Sequence, residues 1–268
     1  MSNSEADENW LSNFSVDRKR PVSDQIYEVL KSAIISNRLL PGTPISENRI
    51  CSLIDVSRTP VRAAMGKLSE EGLVDVFPQL GSFVSKISIK GVANDHFVRR
   101  ALEIAVLHEA RKSWSPAATA LAREAIKNQI GALIAKDKAD FFDHDLAFHK
   151  VFAIVAKLEG VWPAILNVRT KLSRFHNLMG KEDRLPEVIN EHTAIVDAMA
   201  IGDFAAAEQL LINHLDKGLD TIFALPEVFG AYLCDVPDPE SMYFAQRGLS
   251  QPANPMPGAA DDENAIRR

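Results

Sequence analysis

Ser57-Arg58-Thr59-Pro60-Val61-Arg62 reads as the opening of a helix. Serine is a residue type that caps helix starts, and proline is tolerated in a first turn because those N–H groups have no intrahelical partner. Arg58 and Arg62 are four residues apart, so both leave one face of that helix, with the hydroxyls of Ser57 and Thr59 beside them. A planar guanidinium can bond both acceptors on the major-groove edge of guanine, while hydroxyls and N-terminal amides hold phosphates. The stretch therefore predicts a DNA-reading helix, against the plainer alternative of two arginines on a solvated face.

Upstream, Ile26, Val29, Leu30, Ala33 and Ile34 fall at helical spacing, with Ser23 or Asp24 placed to cap the start, and Leu39-Leu40-Pro41-Gly42 ends that helix in a turn. A second short helix is expected after Ser46, burying Ile50, Leu53 and Ile54. Asp55-Val56 turns the chain into the helix of Arg58, whose buried stripe is Val61, Ala64, Met65 and Leu68 and which Glu70-Glu71-Gly72 closes. Two β-like runs follow, Leu73 to Val76 and Phe83 to Ser85, joined through Gly81. Three helices and a hairpin predict a winged helix-turn-helix over residues 21–90. Glycine at position 81 would let the wing backbone approach DNA without a Cβ in the way, or would serve an ordinary turn.

Residues 1–20, with the basic run Arg18-Lys19-Arg20, read as a flexible N-terminal arm. From residue 91 to 225 the pattern changes to long apolar-periodic segments at 95–112, 116–136, 138–158, 161–179, 186–201 and 204–224, bounded by Ser115-Pro116, Gly160, Gly180, Pro186 and Gly202-Asp203. This half is predicted to be an all-α bundle of about six helices, so the chain as a whole is mainly α. Residues 226–268 carry repeated prolines and a Gly-Ala-Ala-Asp-Asp-Glu run, and are expected to be a disordered tail.

A chain of 268 residues with 46% apolar residues can bury an ordinary core. It has no apolar run long enough for a bilayer and no signal-like start, so a cytoplasmic location and no membrane partner are expected. Cys51 and Cys234, far apart and outside any CxxC spacing, read as unpaired thiols. The net charge of −6 taken alone opposes a nucleic-acid partner, but residues 17–90 hold 11 Lys/Arg against 8 Asp/Glu. A locally basic first domain can still bind phosphate.

In Leu40-Pro41-Gly42, Ile45-Ser46-Glu47, Val56 to Arg62, Leu68 with Glu71-Gly72-Leu73-Val74, and Gly81-Ser82-Phe83-Val84, the chain resembles the GntR family of bacterial transcriptional regulators. The helical half is similar to the FCD branch of that family, the fatty-acid-regulator type. That likeness rests on Arg99-x-x-Leu102-Glu103, Asp145-x-x-Phe148-His149, Glu191-His192, Gly202-Asp203 and His214. The resemblance implies that Ser57, Arg58, Thr59, Arg62, Arg49 and Gly81 face a double-stranded, pseudo-palindromic operator. It also implies a homodimer, formed through the bundle, whose DNA binding responds to an effector. Asn48 stands where many members carry arginine, so the bases read at that point are expected to differ.

Asp145 and His149 leave the same helical face, and His192 and His214 lie on two later helices. At the spacing the FCD branch shows, the four make a set that a divalent ion such as Zn(II), Ni(II) or another first-row metal accepts. The simpler alternative is a group of hydrogen-bonded histidines. His96, His108, His144 and His176 are expected to be ordinary, although His176 could reach the pocket. Arg99 is the candidate for holding a small carboxylate effector by a two-pronged bond, with a plain salt bridge as its alternative. A repressor is the leading function. A metalloenzyme, or a DNA-binding dimer without an effector, are the other readings. No HExxH string or nucleophile–base pair supports the enzyme.

Overall fold

A computed structural model describes Leu11 and residues 14–179, 184–217 and 227–236 of the chain. The chain adopts the mainly α, two-part architecture expected from its sequence. The first part holds α1 (Val22–Ile35), β1 (Pro44–Ile45), α2 (Glu47–Ile54), α3 (Arg58–Glu70), β2 (Val74–Phe77) and β3 (Gly81–Val84). Ile26, Leu30 and Ile34 of α1 and Val61, Ala64, Met65 and Leu68 of α3 form its core with Ile50, Leu73 and Val84. Ser46 caps α2 by accepting from the Arg49 amide, and Asp55 turns left-handed at φ 51° to aim the chain into α3.

The wing has a third strand that the sequence reading did not include. β1 pairs antiparallel with β3 (Pro44 opposite Phe83), and β3 pairs antiparallel with β2 (Val74 opposite Val84, Phe77 opposite Gly81), giving the order β1-β3-β2. A two-residue strand is too short to show a period of two, which hid β1 from pattern reading.

The second part is built from α4 (Ile89–Ala110), α5 (Pro116–Ala135), α6 (Lys138–Val155), α7 (Trp162–Met179), α8 (Leu185–Ala200) and α9 (Phe204–Asp216). Side-chain oxygens of Ser88, Ser115, Asp137 and Asp203 cap α4, α5, α6 and α9. Leu107, Phe148, Ile165, Ile195, Met199 and Leu215 anchor a core to which all six helices contribute. Among the described residues no helix is long and apolar enough to cross a membrane. Both cysteines are free thiols.

Ser23 and Asp24 do not cap α1. The helix starts earlier with Pro21 in the capping position and no side-chain cap bond, and Asp24 instead accepts from Lys67 Nζ of α3 at 2.6 Å. Leu53 of α2 is half exposed and only Ile50 of that helix is fully buried, because two turns can press just one residue deep into the core. Ser57 sits at the start of α3 but makes no side-chain cap bond.

The described end of the N-terminal arm is docked rather than loose. Leu11 is buried in the first core, and the buried Gln25 amide accepts from the Asp17 N–H at 2.9 Å and donates to the Asp17 carbonyl at 2.7 Å. The first bundle helix begins at Ile89, six residues before the expected start and inside the expected boundary at 90/91, because Ser88 provides a cap that the apolar period does not register. Residues 227–236, expected in the tail, form a 3-10 turn (Glu227–Tyr232) and β5 (Leu233–Cys234), which pairs in parallel with β4 (Ile87–Ser88). Gly180, residues 218–224, and the remainder of both expected tails lie outside the described residues.

Candidate functional site

Each bundle helix places at least one polar side chain into a single buried cluster. Side-chain caps start α4, α5, α6 and α9, a proline stands in the first turn of α8, and the inward face of each of the six helices carries its contribution. These are Arg99 and Glu103 from α4, Gln129 from α5, Asp145 and His149 from α6, Arg169 from α7, Glu191 and His192 from α8, and His214 from α9. The expected i,i+4 placement of Asp145 and His149 brings them to one side of α6, and α8 and α9 bring His192 and His214 to meet them. One ring nitrogen from each of His149, His192 and His214 lies within 4.8 Å of the other two. The rings of His192 and His214 have centroids 4.7 Å apart, and Phe148 stacks on His192 at 3.8 Å.

Each imidazole is fixed from behind. Glu103 accepts from His149 Nδ1 at 2.6 Å, Gln129 Oε1 from His192 Nδ1 at 2.9 Å, and Glu191 from His214 Nδ1 at 2.7 Å. With each Nδ1–H committed to an acceptor, each Nε2 carries a lone pair. His149 Nε2 and His192 Nε2 are fully buried and have no hydrogen-bond partner among the described residues. Burial first, and the Arg169 guanidinium next, lower His149 to about 4. Burial and the neighbouring imidazoles hold His192 well below its ordinary value, and burial also lowers His214. All three rings are therefore neutral near pH 7, the form that donates to a metal.

The carboxylates are ionised. Burial alone would raise Glu103 and Asp145, but His149, Arg99 and Arg169 pull Glu103 well down, and Arg169 leads the groups that lower Asp145. Glu191 is lowered to about 2 despite its burial by its bonds to His214 and Lys217. Asp145 Oδ2 takes a bond from Arg169, while its Oδ1 faces the histidines at 3.7 Å from His192 Nε2. Three imidazoles and this carboxylate suit a first-row divalent ion on donor chemistry. The unpartnered Nε2 atoms fit it as well, since buried ring nitrogens in a core normally find a partner.

Arg99 is buried and donates to Glu103 at 2.7 Å within its own helix, and it also lines a cavity of about 150 Å³ beside the histidines. Asp145, Arg169, His176, Arg184 and His214 share that wall. A cavity of this size holds a ligand of benzene-like dimensions. The sequence reading does not include Arg169 or Gln129, and it has Glu103 and Glu191 as letters of the FCD likeness but not as supports of the histidines. For Glu103 a signal existed, since it lies one turn from Arg99 and both would face one way. For Arg169, 66 residues beyond Glu103, nothing local points to the pair.

On the other part, Ser57, Arg58, Thr59 and Arg62 are exposed at the start of α3, and Arg49 is exposed on α2. Glu47 of α2 holds Arg62 Nε at 3.1 Å. Gly81 has φ +109°, a backbone angle that by itself calls for glycine, and beyond its chain neighbours no heavy atom of the described residues lies within 4 Å of where its Cβ would be.

Comparison with known proteins agrees with both halves. Residues 22–84 match the family described as bacterial regulatory proteins, gntR family, and residues 96–217 match the FCD domain. The chain is 33% identical over 199 residues to the HTH-type transcriptional repressor RspR of Escherichia coli K12, covering 74% of this chain and 87% of that protein. It is 24% identical to the galactonate operon transcriptional repressor of the same organism, over 72% of this chain and 93% of that one. Among solved structures, a transcriptional regulator GntR from Rhodococcus sp. RHA1 superposes with a TM-score of 0.63 at 25% identity, covering 76% of this chain and 99% of that one.

Proposed function

Because the chain belongs to the GntR family of bacterial transcriptional regulators and carries an FCD domain, we propose that it is a metal-containing, organic-acid-responsive repressor. Regulation of transcription through DNA, not turnover of a substrate, is the activity of its relatives. In this reading Arg58 reads a base, Arg62 reads a base or clamps the backbone, and Ser57, Thr59 and Arg49 position the helix on phosphates. The wing at Gly81 follows the adjoining groove. Arg62 must exchange its bond to Glu47 for the operator.

The bundle holds a divalent ion, Zn(II) for preference, through His149, His192 and His214, with Asp145 as the fourth ligand. The observation that carries this is the pair of buried, unpartnered Nε2 atoms. The ion, when bound, supplies a Lewis-acidic point for a carboxylate or hydroxyl oxygen. Charge supports an anionic effector. Arg99 and Arg169 already balance Glu103 and Asp145, so a divalent cation leaves an excess that a small acid neutralises. Arg99 and Arg184 line the side of the cavity from which that acid is held.

Two copies of the bundle form a homodimer that sets the recognition helices at half-sites about one DNA turn apart. Exposed Phe97, Leu121 and Ile134 on α4 and α5 favour such a partner. The effector then biases one arrangement of the pair over the other. Elemental analysis of purified protein tests the centre, with one ion per chain expected in the wild type and loss of it in His192→Ala. Full metal content in that variant would refute the assignment. Thermal-shift screening of small carboxylic acids, with and without chelator, tests the effector.

A further inference from the structure

The segment Glu227–Val236 lies beyond both family matches, which cover residues 22–84 and 96–217, and so does the linker between them. The chain brings these two outlying pieces together. Leu233 and Cys234 of β5 pair in parallel with Ile87 and Ser88 of β4, and Ser88 Oγ donates to Asp235 Oδ2 at 2.8 Å. Under this pairing sits a small separate core in which Leu233, Ile87 and Val92 pack with Leu172 and Phe175 of α7, and Leu40 of the winged helix joins its margin. The core therefore contains pieces of the DNA-binding part, the linker, the effector bundle and the C-terminal segment.

The same joint is tied by polar contacts to the backbone. Asn37 donates to the Arg174 carbonyl at 3.0 Å, Asn177 donates to the Ile35 carbonyl at 2.9 Å, and the buried Arg174 guanidinium donates to the Ser85 carbonyl. Leu172 and Asn177 also line the effector cavity. A two-strand parallel pair is weak alone, so its persistence depends on the apolar core below it. Without Leu233, the linker would lose both its strand partner and the cover of its buried side chains.

We infer that residues 227–236 act as an interdomain brace: by adding a strand to the linker and closing the joint core, they fix the reading head against the bundle in the orientation that specific DNA requires. The inference needs only the DNA-binding role of the family and is independent of the metal. The test compares wild type with Leu233→Asp by amide hydrogen exchange and by affinity for two duplexes. One duplex is selected by the wild-type protein from random sequence, and the other is unrelated and of the same length.

The expected result is free exchange over 229–234 and exchange at least about tenfold faster over 86–92, with α1 and α3 still protected. Affinity for the selected duplex should fall by about tenfold, with that for the unrelated duplex unchanged, since phosphate contacts do not need a fixed orientation. Unchanged exchange over 86–92, or an unchanged selected-duplex affinity, overturns the inference. Should Leu233→Asp unfold the chain, Leu233→Ala decides by the same two measurements.

Discussion

Replacing Glu103 by glutamine keeps the shape of the side chain and removes its charge. The carboxylate accepts from His149 at 2.6 Å, from Arg99 at 2.7 Å and from Arg169 at 3.1 Å, all inside the bundle. In the variant two buried guanidiniums would share Asp145 alone. Removing one side of a buried ion pair costs about 3–5 kcal/mol, and a glutamine oxygen in the Oε1 place can still accept from both arginines, though without the charge, so a loss at the low end, near ~3 kcal/mol, is expected. For a domain of this size ~1 kcal/mol moves Tm by about 2–4 °C, which gives a fall of roughly 6–12 °C.

The assay is urea and thermal unfolding of chelator-treated protein at pH 7.5, with Glu109→Gln as control. Glu109 is exposed and among the described residues its side chain bonds only Lys112, so its loss should stay within about 0.5 kcal/mol. A second readout is metal affinity. An amide behind His149 no longer enforces the proton on Nδ1, and loss of such a support weakens metal binding by about 10- to 100-fold. A Glu103→Gln protein that melts within about 2 °C of wild type and binds zinc as tightly would refute the reasoning about this cluster.

Arg58→Ala should cost about 1–3 kcal/mol on a selected operator and less on unrelated DNA, measured by gel shift at fixed salt. Acid should weaken the metal-free bundle. His149 in the folded state is lowered to about 4 from 6.5, so its contribution is whole above pH 6.5 and is lost as pH falls toward 4, on the order of 3 kcal/mol from this ring, readable by urea titration across that window. Gly81→Ala should destabilise the winged helix by about 1–3 kcal/mol in thermal unfolding even though space for the methyl exists, because the strain comes from φ +109°. Phe148→Ala, which removes a fully buried ring stacked on His192, should cost about 3–5 kcal/mol by urea unfolding.

The reading head was legible because its signals are local. A proline suited to a first turn and a four-residue spacing place Arg58 and Arg62 on one face without any tertiary knowledge. The six bundle helices were legible for the same reason, through glycine, proline and capping punctuation. The histidine set could be expected only because the resemblance to the FCD branch joined the shared face of Asp145 and His149 to His192 and His214 on two later helices. The residues behind them could not. Arg169 and Gln129 reach their partners across 66 and 63 residues of chain, and helical period reports which face is inward, not what it meets there. The brace was misread because a proline-rich composition near position 237 outweighed Leu233, whose role depends on a strand partner 146 residues earlier.

All six helices of the bundle send a side chain to the histidine cluster or its supports, so whatever fills its centre works as a rivet through the whole bundle. Sliding any one helix by an ångström would pull a donor or its backing acceptor out of line and loosen the occupant. By the reciprocity of linked equilibria, an occupant that favours one setting of the helices resists that slide with the same free energy by which the slide weakens its retention.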